Sequence, residues 1–177
     1  EIPTTDNGGV KVPGDGGDAM TVTWKLRPDL KWSDGQPLTC DDYKYTQDWI
    51  MDKDTTGLYA GRSGYEDVTK FECTDPQTIV LHFGKVYEGY LGMYPVPLPK
   101  HYMSKFSAKD IVAHKGLTAA DMPNVPVSGP FKYKSVTGGQ EIDLVRNDNY
   151  KNGIDGKPAS LDELIFKWYG DADAMIA

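Results

Sequence analysis

The stretch from Met20 to Met51, MTVTWKLRPDLKWSDGQPLTCDDYKYTQDWIM, constrains this chain more than any other, because strand, turn and helix signals follow one another directly. In Thr21–Arg27 the apolar Val22, Trp24 and Leu26 alternate with polar residues, the period of a strand with one buried face. Pro28 lacks a backbone donor and discourages further sheet pairing. Ser33-Asp34-Gly35 supplies a turn in which Gly35 is free to take a positive φ. Thr39 is placed to cap a helix whose first turn carries Asp41 and Asp42, where the helix dipole favours negative charge. Cys40, Tyr43, Gln47 and Ile50 share one stripe of that helix.

The flanking segments read as mixed α+β structure. Residues 1–20 are rich in Gly, Asp and Pro and form a loose edge hairpin, with Val10-Lys11-Val12 pairing to the Thr21–Arg27 strand across Asp15-Gly16-Gly17. Asp52–Gly64 is a polar loop. Phe71 and Cys73 alternate with Lys70 and Glu72, Thr74–Gln77 is a turn, and Ile79, Leu81 and Phe83 alternate with Thr78, Val80 and His82, which makes a β-hairpin. Tyr87–Met93 is a short helix or turn stopped by Pro95, Pro97 and Pro99; Pro99–Met103 opens a second short helix, and Ser107–His114 is a third. Leu117–Val127 is irregular. Beyond Ser128-Gly129-Pro130 come strands at Phe131–Val136, Glu141–Arg146 and Leu164–Tyr169, with a polar loop over Asn147–Ser160 and a helix opening at Asp171–Ala177.

The chemistry-bearing residues give no catalytic constellation. His82, His101 and His114 have no metal-ligand spacing to one another or to the cysteines, and all three are expected at the surface, His82 on the polar face of its strand. Ser63 misses the nucleophile-elbow spacing by one residue. The pairs Asp41-Asp42, Glu66-Asp67 and Asp162-Glu163 are explained by helix capping and solubility, and Asp171-x-Asp173 lacks the glycine and closing glutamate of a calcium loop. No enzyme, cofactor or metal is expected. The formal net charge of −7 argues against a grip on nucleic acid or an anionic membrane. No apolar run approaches the roughly 20 residues that span a bilayer. The start Glu1-Ile2-Pro3 has no signal-peptide pattern, as in a trimmed secreted protein or a cytosolic one. Eleven tyrosines and four tryptophans outnumber five phenylalanines, a balance that suits ligand clefts and wet β structure alike. Trp24 and Trp32 are expected to be core residues.

Trp24, Leu26, Arg27, Lys31, Trp32, Ser33, Asp34, Gly35, Pro37, Thr39 and Asp42 resemble the signature of extracytoplasmic solute-binding proteins of the oligopeptide/dipeptide/nickel class, which serve ABC importers. Cys40 departs from it, since the family usually has a small residue there. Gly129-Pro130-Phe131-Lys132 and Leu144-Val145-Arg146-Asn147-Asp148-Asn149-Tyr150 resemble two later family motifs, and Leu161–Phe166 is similar to the strand that follows them.

That resemblance implies a periplasmic-binding-protein type II-like fold, of which this chain would be a fragment. Residues 1–20 would be a loose N-terminal segment, 21–127 a subdomain elaborating the first lobe, and 128–177 part of that lobe's main sheet. It implies a monomer outside the cytoplasmic membrane, periplasmic or a cell-surface lipoprotein. Its partners would be a small-molecule or peptide ligand, with oligopeptides leading, and a membrane permease, with no nucleic acid. In peptide-binding members the loop after the signature helix lends an aromatic residue to the cleft. Tyr59 is the expected match, with Arg62 and Tyr65 as further ligand contacts. An oxidising compartment would allow Cys40 and Cys73 to pair; two separate buried thiols are the alternative. An oligosaccharide-binding protein and a non-catalytic interaction domain are the other functional readings.

Overall fold

A computed structural model describes residues 2–55, 61–94, 96–151 and 156–170. Two units emerge: residues 1–29 with 38–112, and residues 30–37 with 113–177. The sequence suggests a boundary at 127/128. Within the second unit Ser33 and Val127 bond twice, and the short 3₁₀ turn Met122–Asn124 packs on the strand that follows.

The first unit is built on an antiparallel sheet of four strands: β1 (Val10–Lys11), β2 (Met20–Lys25), β3 (Val68–Asp75) and β4 (Thr78–Phe83), in the order β1-β2-β4-β3. Period-two alternation decides which side is buried. Val22 pairs with Leu81 and Met20 with Phe83, and these four have at most 2% exposure. Each large apolar side chain so buried contributes roughly 1.5–3 kcal/mol. Helix α1 (Cys40–Met51) adds Cys40 and Ile50 to this core, which Tyr65, Met93 and Tyr94 complete.

The start of α1 follows the local signals. Asp42 accepts the Thr39 N–H at 2.9 Å, one half of a capping box, and its other oxygen accepts the Lys100 N–H at 3.0 Å. Thr46 accepts the Leu98 N–H at 2.8 Å while donating to the Asp42 carbonyl. Two helix side chains thereby clip down the proline-rich segment that leads into α2 (Lys100–Met103), ahead of α3 (Ala108–Val112). Cys40 and Cys73 form a disulfide that ties the first residue of α1 to β3.

The second unit carries the antiparallel sheet β5 (Phe131–Thr137), β6 (Glu141–Arg146) and β7 (Glu163–Lys167) in chain order. Register pairing puts Val136, Ile142 and Phe166 in one row and Thr137, Glu141 and Lys167 in the next, so the sheet has an apolar and a charged face. Lys167–Glu141 at 2.8 Å and Lys134–Glu163 at 2.6 Å are ion pairs in this sheet. Two of the sequence motifs meet in this unit. The turn at Trp32–Gln36, with Gly35 at φ +88°, presents the Ser33 carbonyl to the Asn149 side-chain amide at 3.1 Å. Asn147, expected in a polar loop, is instead fully buried. It donates to the Gly129 carbonyl at 2.8 Å and accepts the Asn149 N–H at 3.1 Å. Trp32 is 1% exposed. The helix expected at Asp171–Ala177 lies outside the described residues.

Candidate functional site

The first unit opens a groove of about 210 Å³. Strand β2 supplies Trp24, the residue just after its end supplies Leu26, α1 supplies Tyr43, β4 supplies Ile79, and the segment after the 3₁₀ turn Glu88–Gly92 supplies Met93 and Tyr94, with Leu91 exposed at the rim. Among the described residues no charged side chain lines it. Its walls are aromatic and its volume is below the roughly 300 Å³ at which whole-ligand pockets begin, so it fits a single apolar side chain rather than a complete small molecule.

Tyr94 is the organising residue. Its ring meets those of Tyr65, Phe71 and Tyr43 edge-on, with centroids 5.0, 5.8 and 6.4 Å away. Edge-to-face contacts of this kind add about 0.5–1.5 kcal/mol each beyond area burial. Its backbone sits at φ +54°, in the left-handed region that penalises a side chain by roughly 1–2 kcal/mol. A closed hydrogen-bond ring holds it there. Tyr94 N–H donates to Tyr65 Oη at 3.0 Å, Tyr94 Oη–H donates to Gln47 Oε1 at 2.6 Å, and the Gln47 amide donates to the Tyr65 carbonyl at 3.0 Å. Burial, with the Tyr65 and Asp48 charges behind it, pushes the Tyr94 phenol well above the ordinary tyrosine value, so it stays a proton donor. Tyr43 is raised too, by burial and then by neighbouring Asp42.

Of the residues singled out from the sequence, Arg62 and Tyr65 do not line the groove. Tyr65 is 8% exposed and sits in the core, with its ring against Tyr94 and its carbonyl accepting the Gln47 amide. Arg62 donates to the Asp52 carbonyl at 2.8 Å, a cation closing the C-terminal end of α1 where the dipole favours it. Tyr59 lies outside the described residues. His82 is not at the surface: its side chain is 13% exposed and both ring nitrogens face carboxylates. His114 is exposed, and His101 is half-buried. Trp24 is half-buried, packing on the core while lining the groove. Tyr43, Met93 and Tyr94 were missed; the proline cluster after Met93 was the one local sign that the backbone there is unusual.

Among the described residues no group of three or more His, Cys, Asp or Glu could hold a metal ion. Residues 16–177 match the model for the Middle part of the bacterial extracellular solute-binding proteins, family 5, and the chain belongs to that family. It is 31% identical over 169 residues to the oligopeptide-binding protein AppA of Bacillus subtilis, covering 92% of this chain and 28% of the relative. It is 26% identical over 181 residues to the oligopeptide-binding protein OppA of Lactococcus lactis subsp. cremoris, covering 90% of this chain and 29% of that protein. The chain thus spans less than a third of the length of these curated relatives. Among solved structures, that of B. subtilis AppA in complex with a nonapeptide superposes with a TM-score of 0.70 at 28% identity, covering 94% of this chain and 31% of that one. An oligopeptide-binding protein from Thermus thermophilus, complexed with a pentapeptide, shares the fold at a TM-score of 0.74 and 23% identity, covering 99% of this chain and 33% of that one. The architecture is that of the periplasmic-binding-protein type II-like members of this family.

Proposed function

We propose that this chain contributes to the capture of oligopeptides outside the cell, for hand-over to the permease of an ABC importer. The observation that carries this reading is family membership across residues 16–177, together with relatives that bind oligopeptides. The groove is consistent with it. A slot walled by Trp24, Tyr43 and Tyr94 accepts apolar side chains of varied shape, because aromatic faces grip by area and impose few hydrogen-bond demands. In this reading residues 21–127 form a subdomain of a first lobe and 128–177 part of its main sheet. Tyr59, by its order after α1, is a further ligand contact. The receptor works as a monomer, and ligand favours the state the permease recognises.

Intrinsic tryptophan fluorescence tests the reading, since Trp24 lines the groove. Short oligopeptides with apolar side chains, oligosaccharides and a nickel–histidine complex are titrated into this chain and into Leu91→Asp, which puts a charge at the groove's rim. Oligopeptides are expected to shift the wild-type emission, and the variant to bind them about tenfold more weakly, the equivalent of about 1.4 kcal/mol. A response to the oligosaccharide or the nickel complex alone, or to no ligand, overturns the proposal.

A further inference from the structure

His82 is a titratable group outside the groove that two carboxylates engage at once. It lies on β4, the strand flanked by β2 and β3, on the opposite face from the buried Leu81 and Phe83. Its Nδ1 is 2.6 Å from Asp18 Oδ2, in the turn between β1 and β2, and its Nε2 is 2.9 Å from Glu72 Oε2 on β3. A carboxylate oxygen is an acceptor only. A neutral imidazole has one N–H, and its other nitrogen would then aim a lone pair at a carboxylate. Satisfying both contacts at once requires both nitrogens to be protonated, so the arrangement holds the imidazolium.

The surrounding charges are accounted for strand by strand. The register row through His82 reads Lys11 on β1, Thr21 on β2, His82, then Lys70 on β3. Lys11 is engaged by Asp15 at 2.7 Å, and the Asp15 N–H donates to the Thr21 hydroxyl at 2.9 Å. Lys70 pairs with Glu72, and the Thr69 hydroxyl donates to the His82 carbonyl at 3.1 Å. The two carboxylates that His82 bridges are therefore not equivalent. Glu72 has a second cation in Lys70, whereas among the described residues the Asp18 carboxylate pairs with His82.

We propose that His82 is a proton-set clasp: charged, it fastens the turn before β2 and the edge strand β3 to the same interior strand, and on losing its proton it keeps Asp18 and releases Glu72. The neutral form retains its remaining proton on Nδ1, because Asp18 would otherwise lose the N–H that His82 donates to it, while Glu72 keeps Lys70. Partial burial lowers the histidine's affinity for its proton, but the bonds and charges of Asp18 and then Glu72 outweigh that and raise it above the ordinary 6.5. The sign follows. The group binds its proton more tightly folded than unfolded, so its stabilisation is fully present below pH 6.5 and is lost as pH rises through the folded midpoint.

The test is a ¹⁵N NMR titration of the His82 ring in the full chain, with Asp18→Asn and Glu72→Gln as partners. The proposal expects a midpoint above 6.5, a neutral form protonated on Nδ1, and a larger drop in midpoint for Asp18→Asn than for Glu72→Gln. Both variants sit on a partly exposed polar surface, and each keeps a hydrogen-bonding amide, so folding is retained. Backbone hydrogen-exchange protection in β3, corrected for intrinsic exchange, should fall as pH rises through the His82 midpoint, with no such step in Glu72→Gln. A midpoint at or below 6.5, a neutral form protonated on Nε2, a larger midpoint drop for Glu72→Gln, or β3 protection without a step in the wild type each overturns the clasp.

Discussion

The Cys40–Cys73 disulfide spans a sequence separation of 33 and joins a fully buried helix-start residue to an exposed position on β3. Opening it frees the unfolded chain far more than it disturbs the folded one. For a closed loop of about 33 residues the chain-entropy relation gives about 12–13 cal/mol/K, or about 3.7 kcal/mol at 25 °C. The double substitution Cys40→Ala with Cys73→Ser removes the bond without leaving a free thiol. Alanine at 40 keeps the helix propensity high, and serine at 73 sits in solvent. The expected loss is about 4 kcal/mol once a small packing penalty at Cys40 is included. Urea unfolding followed by circular dichroism reads this directly. With a slope of roughly 1–3 kcal/mol/M, the midpoint should fall by about 1.3–4 M, and wild type treated with a phosphine reductant should fall by a similar amount. Equal midpoints for oxidised and reduced wild type would refute the loop-entropy reasoning. Two reactive thiols in the denatured, unreduced chain would refute the bond itself.

Two further substitutions probe the groups that the fold brings together. Tyr94→Phe keeps the edge-on ring cluster but leaves Gln47 Oε1 buried without its donor, and should lower stability by about 1–3 kcal/mol in thermal unfolding; an unchanged or raised Tm would contradict the hydrogen-bond ring. Asn147→Ala deletes both the bond to the Gly129 carbonyl and the acceptor for the Asn149 N–H inside a fully buried site. It should lower stability by about 2–4 kcal/mol and speed hydrogen exchange at Asn149; protection there equal to wild type would show that Asn147 does not hold the motif in place.

Much of the first unit was legible because its signals are local. Val22, Ile79, Leu81 and Phe83 are buried where period-two alternation puts them, and Thr39 with Asp42 starts α1 where capping chemistry requires. Even the pairing of the Gly-rich hairpin β1 to β2 follows from turn residues a few positions apart. These features depend on neighbours in the chain, and the family motifs at 24–42 and 129–150 are runs of the same kind.

The tertiary structure decided the rest, since there the partners lie far apart along the chain. His82 looked like a solvent-facing histidine on a polar strand face, until folding set Asp18 against it from 64 residues away and Glu72 from 10. Tyr65 looked like a loop residue free to meet a ligand, yet Gln47 and Tyr94, 18 and 29 residues distant, draw it into the core. Ser33 and Asn149 meet across 116 residues to join two motifs that read separately in the sequence. Alternation and capping are set by backbone geometry within a few residues, so composition and spacing record them. Whether a polar side chain is solvated, paired or buried depends on which distant atoms the packed fold brings within three ångströms, and no local pattern carries that.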